Sequence, residues 1–72
     1  MKTNEVLLIE YDYDGEIDLT SIEHGLTLEE SMRLVEQLAS KAVVYDFDTE
    51  LNVITAYDAA SETELYQIRG DN

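Results

Sequence analysis

Two apolar alternations on either side of Asp14-Gly15 constrain this chain more tightly than any other feature. Leu7, Ile9 and Tyr11 form one face of a strand, and Ile17 and Leu19 form the apolar face of the segment that follows. A two-residue turn at Asp14-Gly15 would set Tyr11 opposite Asp18 and Ile17 opposite Asp12, mixing the faces. A three-residue loop, Tyr13-Asp14-Gly15, with Gly15 in the left-handed conformation, pairs Tyr11 with Ile17 and Ile9 with Leu19. The pattern therefore predicts a hairpin of odd loop length whose two apolar sets face one core.

That register sets Asp12 opposite Glu16 and Glu10 opposite Asp18 on the outward face. Each like-charged cross-strand pair costs up to roughly 1 kcal/mol, so folding alone gives no reason to keep them. Asp46 and Asp48, which also point away from the apolar face of their own strand, are expected to extend the same acidic field. Outward residues on a strand recur about every 6.6 to 6.8 Å, close to two steps of the roughly 3.4 Å rise per phosphate along one DNA strand. A carboxylate row at that spacing is suited to imitate a phosphate row.

The helix signal lies at Thr27-Leu28-Glu29-Glu30, a capping box in which Thr27 caps the first turn and Glu30 reaches back to the N–H of the cap. Leu28, Met32, Val35 and Leu38 or Ala39 follow at helical spacing, with Glu29, Glu30, Arg33, Glu36, Gln37 and Ser40 on the other side. Val43, Tyr45 and Phe47 alternate with Val44, Asp46 and Asp48 as a half-buried strand does. Residues 52–57 and 63–69 are two further β-rich runs, and for the first both Val53/Thr55/Tyr57 and Ile54/Ala56 fit as the inward set. The expected fold is α+β, one domain over residues 1–72. It has a small antiparallel sheet, made of an N-terminal hairpin and a C-terminal meander, with one helix packed on one face. Under that arrangement Leu8 and Val44, with Val6 and Ile54 or Ala56, stay on the uncovered face, where a partner or a second copy can dock. Gly70-Asp71-Asn72 reads as a frayed tail.

Composition sharpens what such a domain can do. Seventeen Asp and Glu against Lys2, Arg33, Lys41 and Arg69 give a net charge of −13, which excludes nucleic acid and anionic lipid as direct ligands. The chain is not a disordered acidic tail, because 44% of its residues are apolar or Tyr and they fall in periodic segments. No cysteine is present to form a disulfide or a thiolate metal site, and the apolar run Val6–Ile9 is too short for a signal peptide or a membrane span. A cytoplasmic location is expected.

Three chemistries deserve weighing. Glu10-Tyr-Asp12-Tyr-Asp14-Gly15-Glu16-Ile17 resembles the first two-thirds of an EF-hand calcium loop. However, position 12 is Ser21 where Glu belongs, and the segment before it reads as strand, so no metal site is assigned. His24 is the single imidazole, beside Gly25 at the helix entrance. One His among many surface acids defines no triad, and a chain this short seldom supplies a catalytic pocket, so neither enzymatic activity nor a cofactor is expected. Tyr13, at the proposed loop, is the exposed aromatic best placed to contact Arg through its ring.

In size and acidity the chain resembles phage-encoded DNA-mimic proteins of the anti-restriction and anti-CRISPR class; the resemblance covers size and composition and carries over no motif. It implies an inhibitor in the host cytoplasm that occupies the basic groove of a nucleic-acid-binding protein. The candidate contacts come from the outward register and the loop and not from the resemblance: Glu10, Asp12, Tyr13, Asp14, Glu16, Asp18, Asp46 and Asp48. An antitoxin-like or other protein-binding module is the alternative, and adaptation to a saline cytoplasm is a third reading.

Overall fold

The computed structural model describes the backbone of residues 3–71 and the side chains of residues 3–70. Strands β1 (Thr3–Tyr11) and β2 (Ile17–Leu26) are followed by helix α1 (Leu28–Ala39) and by strands β3 (Val43–Asp48), β4 (Val53–Asp58) and β5 (Glu64–Asp71). All five strands belong to one antiparallel sheet in the order β2-β1-β5-β4-β3, which places β2 and β3 at its edges.

This corrects the expected α+β arrangement of hairpin, meander and helix. Hairpin and meander do share one sheet, joined where β5 pairs with β1 from Thr3↔Asp71 to Leu8↔Tyr66, and what changes is the balance of sheet and helix. The sheet dominates the molecule, with more than half of it strand and under a fifth helix. The one helix among the described residues packs chiefly on β1, β5 and β2, and its Val35 shares the buried centre with Ala56 of β4, so a single helix stands against a much larger sheet. The correction has a plain cause. Local alternation identifies each strand, but the long-range β1–β5 pairing leaves no mark in either segment. It also removes the expected frayed tail, since Gly70 and Asp71 pair with Asn4 and Thr3; Asn72 lies outside the described residues.

The hairpin has the deduced register, with Tyr11 opposite Ile17, Glu10 opposite Asp18 and Ile9 opposite Leu19. The Gly15 N–H donates to the Asp12 carbonyl and the Asp12 N–H to the Glu16 carbonyl, each at 3.0 Å, with Gly15 at φ 80°. The three-residue loop needs that left-handed position, which a side chain would strain. β2 then runs on to Leu26 through two register slips, the second of them containing Gly25 at φ 76°.

α1 begins with the full capping box: the Glu30 N–H donates to Thr27 Oγ1 at 3.1 Å and the Thr27 N–H to Glu30 Oε1 at 2.9 Å. Its buried line is Ser31 and Val35, while Leu28 and Leu38 lie at the margins, 43% and 44% exposed. Ser31 was invisible to an apolar pattern. Its small side chain fits against the sheet because its hydroxyl donates to the Thr27 carbonyl at 2.9 Å, so no buried donor is left unpaired.

Val6, Val35, Ala56 and Ile68 form the buried centre, with Leu26, Met32, Leu34, Tyr45, Ile54 and Tyr66 packed around it. The helix-side face of the sheet therefore carries Val6, Ile68, Ile54 and Ala56, which makes Ile54 and Ala56 the inward set of β4 and reverses the expected place of Val6 and of Ile54 or Ala56 on the bare face. Leu8 lies on the helix side too, because Leu8, Tyr66, Ala56 and Tyr45 are successive partners in one row across the sheet. Val44, next to Tyr45, points the opposite way and is 50% exposed. Leu8 and Val44 thus form no common docking face. The run Val6-Leu7-Leu8-Ile9 is apolar on both sides, so alternation had no power to say which side the helix would choose. Leu7 and Ile9, on the side away from the helix, are nonetheless buried and make a second apolar patch. No helix among the described residues is long and apolar enough to cross a membrane.

Candidate functional site

The hairpin end of the sheet concentrates carboxylates on a well-ordered frame. Glu10 and Asp18 face one another across the β1–β2 ladder, and both are exposed. Asp14 and Glu16 follow in and beyond the loop, and Tyr13 at its tip is fully exposed. The segment that resembles a calcium loop is this hairpin, with strand pairing where an EF-hand has helices.

Asp12 does different work from its neighbours. Its Oδ1 accepts the N–H groups of Asp14 and Glu16, each at 2.9 Å, which ties the carboxylate to the loop backbone. Two other aspartates repeat the arrangement. Asp48 Oδ1 accepts from Glu50 and Leu51 at 3.1 Å each, and Asp58 Oδ1 accepts from Ala60 at 2.8 Å and Ser61 at 3.4 Å. The Ala60 N–H, with help from Ser61 and Lys41, holds the Asp58 carboxyl below the usual aspartate range. These three acids form side-chain turns that mimic backbone turns, a structural use of charge that short polar side chains perform.

Asp46 and Asp48 do not extend the hairpin's acidic field, contrary to expectation. Asp46 pairs with Thr55, Thr55 with Gln67, and Gln67 with Leu7, a row on the face away from the helix. Glu10, two residues beyond Leu8, lies on the helix-side face. Asp46 and Asp48 also belong to edge strand β3, whereas Glu10 and Asp18 belong to the β1–β2 side. The expectation that Leu7, Ile9, Tyr11, Ile17 and Leu19 face the helix-covered core, with Glu10 and Asp18 pointing away from it, is thereby reversed: the apolar set lies on the face away from the helix, with Tyr11 and Ile17 about half exposed, and Glu10 and Asp18 lie on the helix side.

The topology supplies acids that sequence reading missed. β1 ends where β5 begins, and the Tyr11 hydroxyl donates to Glu64 Oε2 at 3.4 Å. Partial desolvation and then the Glu64 carboxylate raise the Tyr11 pKa. Glu62, in the β4–β5 turn, lies at this same end of the sheet. Only the β1–β5 pairing brings these residues to the hairpin, so no local signal in the sequence pointed to them.

Cations are engaged elsewhere. Arg33 is paired with Glu29 at 2.9 Å and Lys41 with Asp58 at 3.4 Å, and these are the two ion pairs among the described residues. Arg69 lies opposite Glu5 and donates to Gln67 Oε1 at 3.0 Å. The carboxylates of Glu10, Asp14, Glu16 and Asp18 are thus exposed and have no ion pair among the described residues. Such an array accepts ammonium and guanidinium groups, and the bare Tyr13 ring adds a surface on which a guanidinium can stack. His24 is exposed, within the irregular end of β2 just before the helix.

The chain was compared with protein-family models, curated proteins and solved structures, and none of the three comparisons returned a match.

Proposed function

We propose that this protein is an acidic decoy: its hairpin end occupies the basic groove of a nucleic-acid-binding protein and excludes the nucleic acid. The observation that carries the reading is the Glu10–Asp18 pair, two exposed carboxylates held opposite one another with no cation among the described residues paired to either. The fold does not need them, and like charges in direct opposition weaken a sheet. A Lys- and Arg-lined groove that normally gains affinity by neutralising phosphates gains in the same way from a rigid carboxylate array. Glu10, Tyr13, Asp14, Glu16 and Asp18 make the contacts, and Asp12 keeps the loop in shape.

The test is affinity capture of host-cell proteins on the immobilised chain at low and at high salt, followed by competition with nucleic acid for the protein that salt releases. The decoy reading expects one basic nucleic-acid-binding protein to elute as ionic strength rises, and its nucleic-acid binding to be blocked by the chain. A stoichiometric complex that leaves nucleic-acid access unchanged eliminates the decoy reading in favour of a docking module of another purpose.

A further inference from the structure

The two edges of the sheet are finished differently. β2 is interrupted by two register slips, and irregularities of this kind turn an edge away from further pairing. β3 runs the length of Val43–Asp48 against β4 with no slip, and it contains no Lys, Pro or Gly to blunt it. The Ala59 N–H donates to the Ala42 carbonyl at 3.0 Å, just ahead of the Val43↔Asp58 pair. The alternation of an antiparallel ladder then turns the N–H and C=O groups of Val43, Tyr45 and Phe47 away from β4. Three donors and three acceptors stand ready on this edge.

The side chains define what fits beside it. Val43, Tyr45 and Phe47 point to the helix side, where Phe47 is 58% exposed and shares a shallow depression with Leu28, Ile54 and Ile68. Val44, Asp46 and Asp48 point to the other side. A strand added here meets apolar surface on one face and carboxylates on the other.

We infer that β3 is a strand-addition edge for an extended segment of a partner protein in which apolar residues alternate with Lys or Arg. Main-chain hydrogen bonds extend the sheet, and the alternating side chains supply selectivity. A second copy of the chain is the wrong occupant. It carries the same −13 charge, and its own β3 has no cation to set against Asp46 and Asp48. This edge is separate from the hairpin end, so either reading can fail without the other.

The probe is a blocked eight-residue peptide of alternating Lys and Val, titrated into the full chain and followed by amide chemical shifts. A fully N-methylated version of the same peptide keeps the side chains and lacks the amide donors. The expected result is a set of shifts centred on Val43–Asp48, with affinity reduced at least tenfold by N-methylation and at least tenfold by Asp46→Lys. Asp46 is the position to change because Asp48 holds the β3–β4 loop. Shifts confined to Glu10–Asp18, or equal affinity for the N-methylated peptide, mean that charge alone holds the peptide and overturn the inference. A dimer in sedimentation with protected Val43, Tyr45 and Phe47 amides in the absence of peptide also overturns it.

Discussion

The Tyr45 hydroxyl donates to the Glu36 carboxylate at 3.1 Å, joining the helix to edge strand β3. The same hydroxyl lies 3.3 Å from the Met32 carbonyl, so this one phenol meets two positions one turn apart on the helix. Desolvation, and then the neighbouring Glu36 charge, push the Tyr45 pKa up to about 12. The folded state therefore prefers the protonated phenol. Its contribution is complete below the unfolded tyrosine value of about 10 and is lost as pH rises through the folded value. Tyr45→Phe should cost about 1 kcal/mol near neutral pH, the typical net worth of one hydrogen bond. It should also flatten the fall in stability between roughly pH 10 and pH 12. Denaturant melts of both proteins across that range check both parts.

Acids on the hairpin fall into two kinds that mutation should separate. Asp12→Ala removes an acceptor from two backbone N–H groups and should destabilise by about 1 kcal/mol. Glu10→Gln or Asp18→Asn relieves a like-charged opposition and should stabilise by up to roughly 1 kcal/mol. Thermal melts at low ionic strength, where the repulsion is least screened, give the contrast most clearly. Opposite signs for Asp12→Ala and Glu10→Gln are required, and a loss of stability in all three variants would contradict the division.

Gly70 in β5 lies against the side chain of Asn52, so closely that a β-carbon at position 70 would overlap the Asn52 amide. Asn52 itself sits at φ 55°, in the left-handed region, and its carbonyl accepts the Gly70 N–H at 3.2 Å. Gly70→Ala should therefore cost about 1 to 3 kcal/mol as an overpacking change. Asn52→Gly in the same chain clears the space and suits the backbone, so the double variant should recover most of that loss. Equal melting points for the single and double variants would contradict the account.

What could be read in the sequence follows a physical line between local and non-local determinants. The parity of Leu7, Ile9, Tyr11, Ile17 and Leu19 about Gly15 was enough to obtain the hairpin register pair by pair, and Thr27 with Glu30 marked the helix start. Both signals act over a few residues. The β1–β5 pairing acts across more than fifty, and with it went the place of Gly70, the arrival of Glu64 beside Tyr11, and the separation of Asp46 and Asp48 from Glu10. The choice of helix-covered face was also out of reach, because Val6 and Leu8 are as apolar as Leu7 and Ile9. Asp12 is a different case. The spacing Asp12-Tyr13-Asp14-Gly15 carries the mark of a side-chain-capped turn, and attention to its outward charge hid that role.

Salt should act on the fold in a direction that separates acidity for binding from acidity for a saline environment. With a net charge of −13, self-repulsion acts over a Debye length of about 30 Å at 0.01 M salt and about 10 Å at 0.1 M. The melting temperature should rise over that interval, and the chain should be fully folded at 0.1 M. A fold that appears only in molar salt would favour the saline reading, and circular dichroism at the three concentrations decides it.

The most direct test of the decoy proposal compares the wild-type chain with Glu10→Gln/Glu16→Gln/Asp18→Asn, leaving the loop-holding Asp12 in place, for displacement of nucleic acid from the captured basic partner. The account predicts that the triple variant melts at or above the wild-type temperature and loses at least tenfold in displacement. A variant equally stable and equally potent would contradict it, because the carboxylates facing solvent at the hairpin end would then have no part in holding the partner.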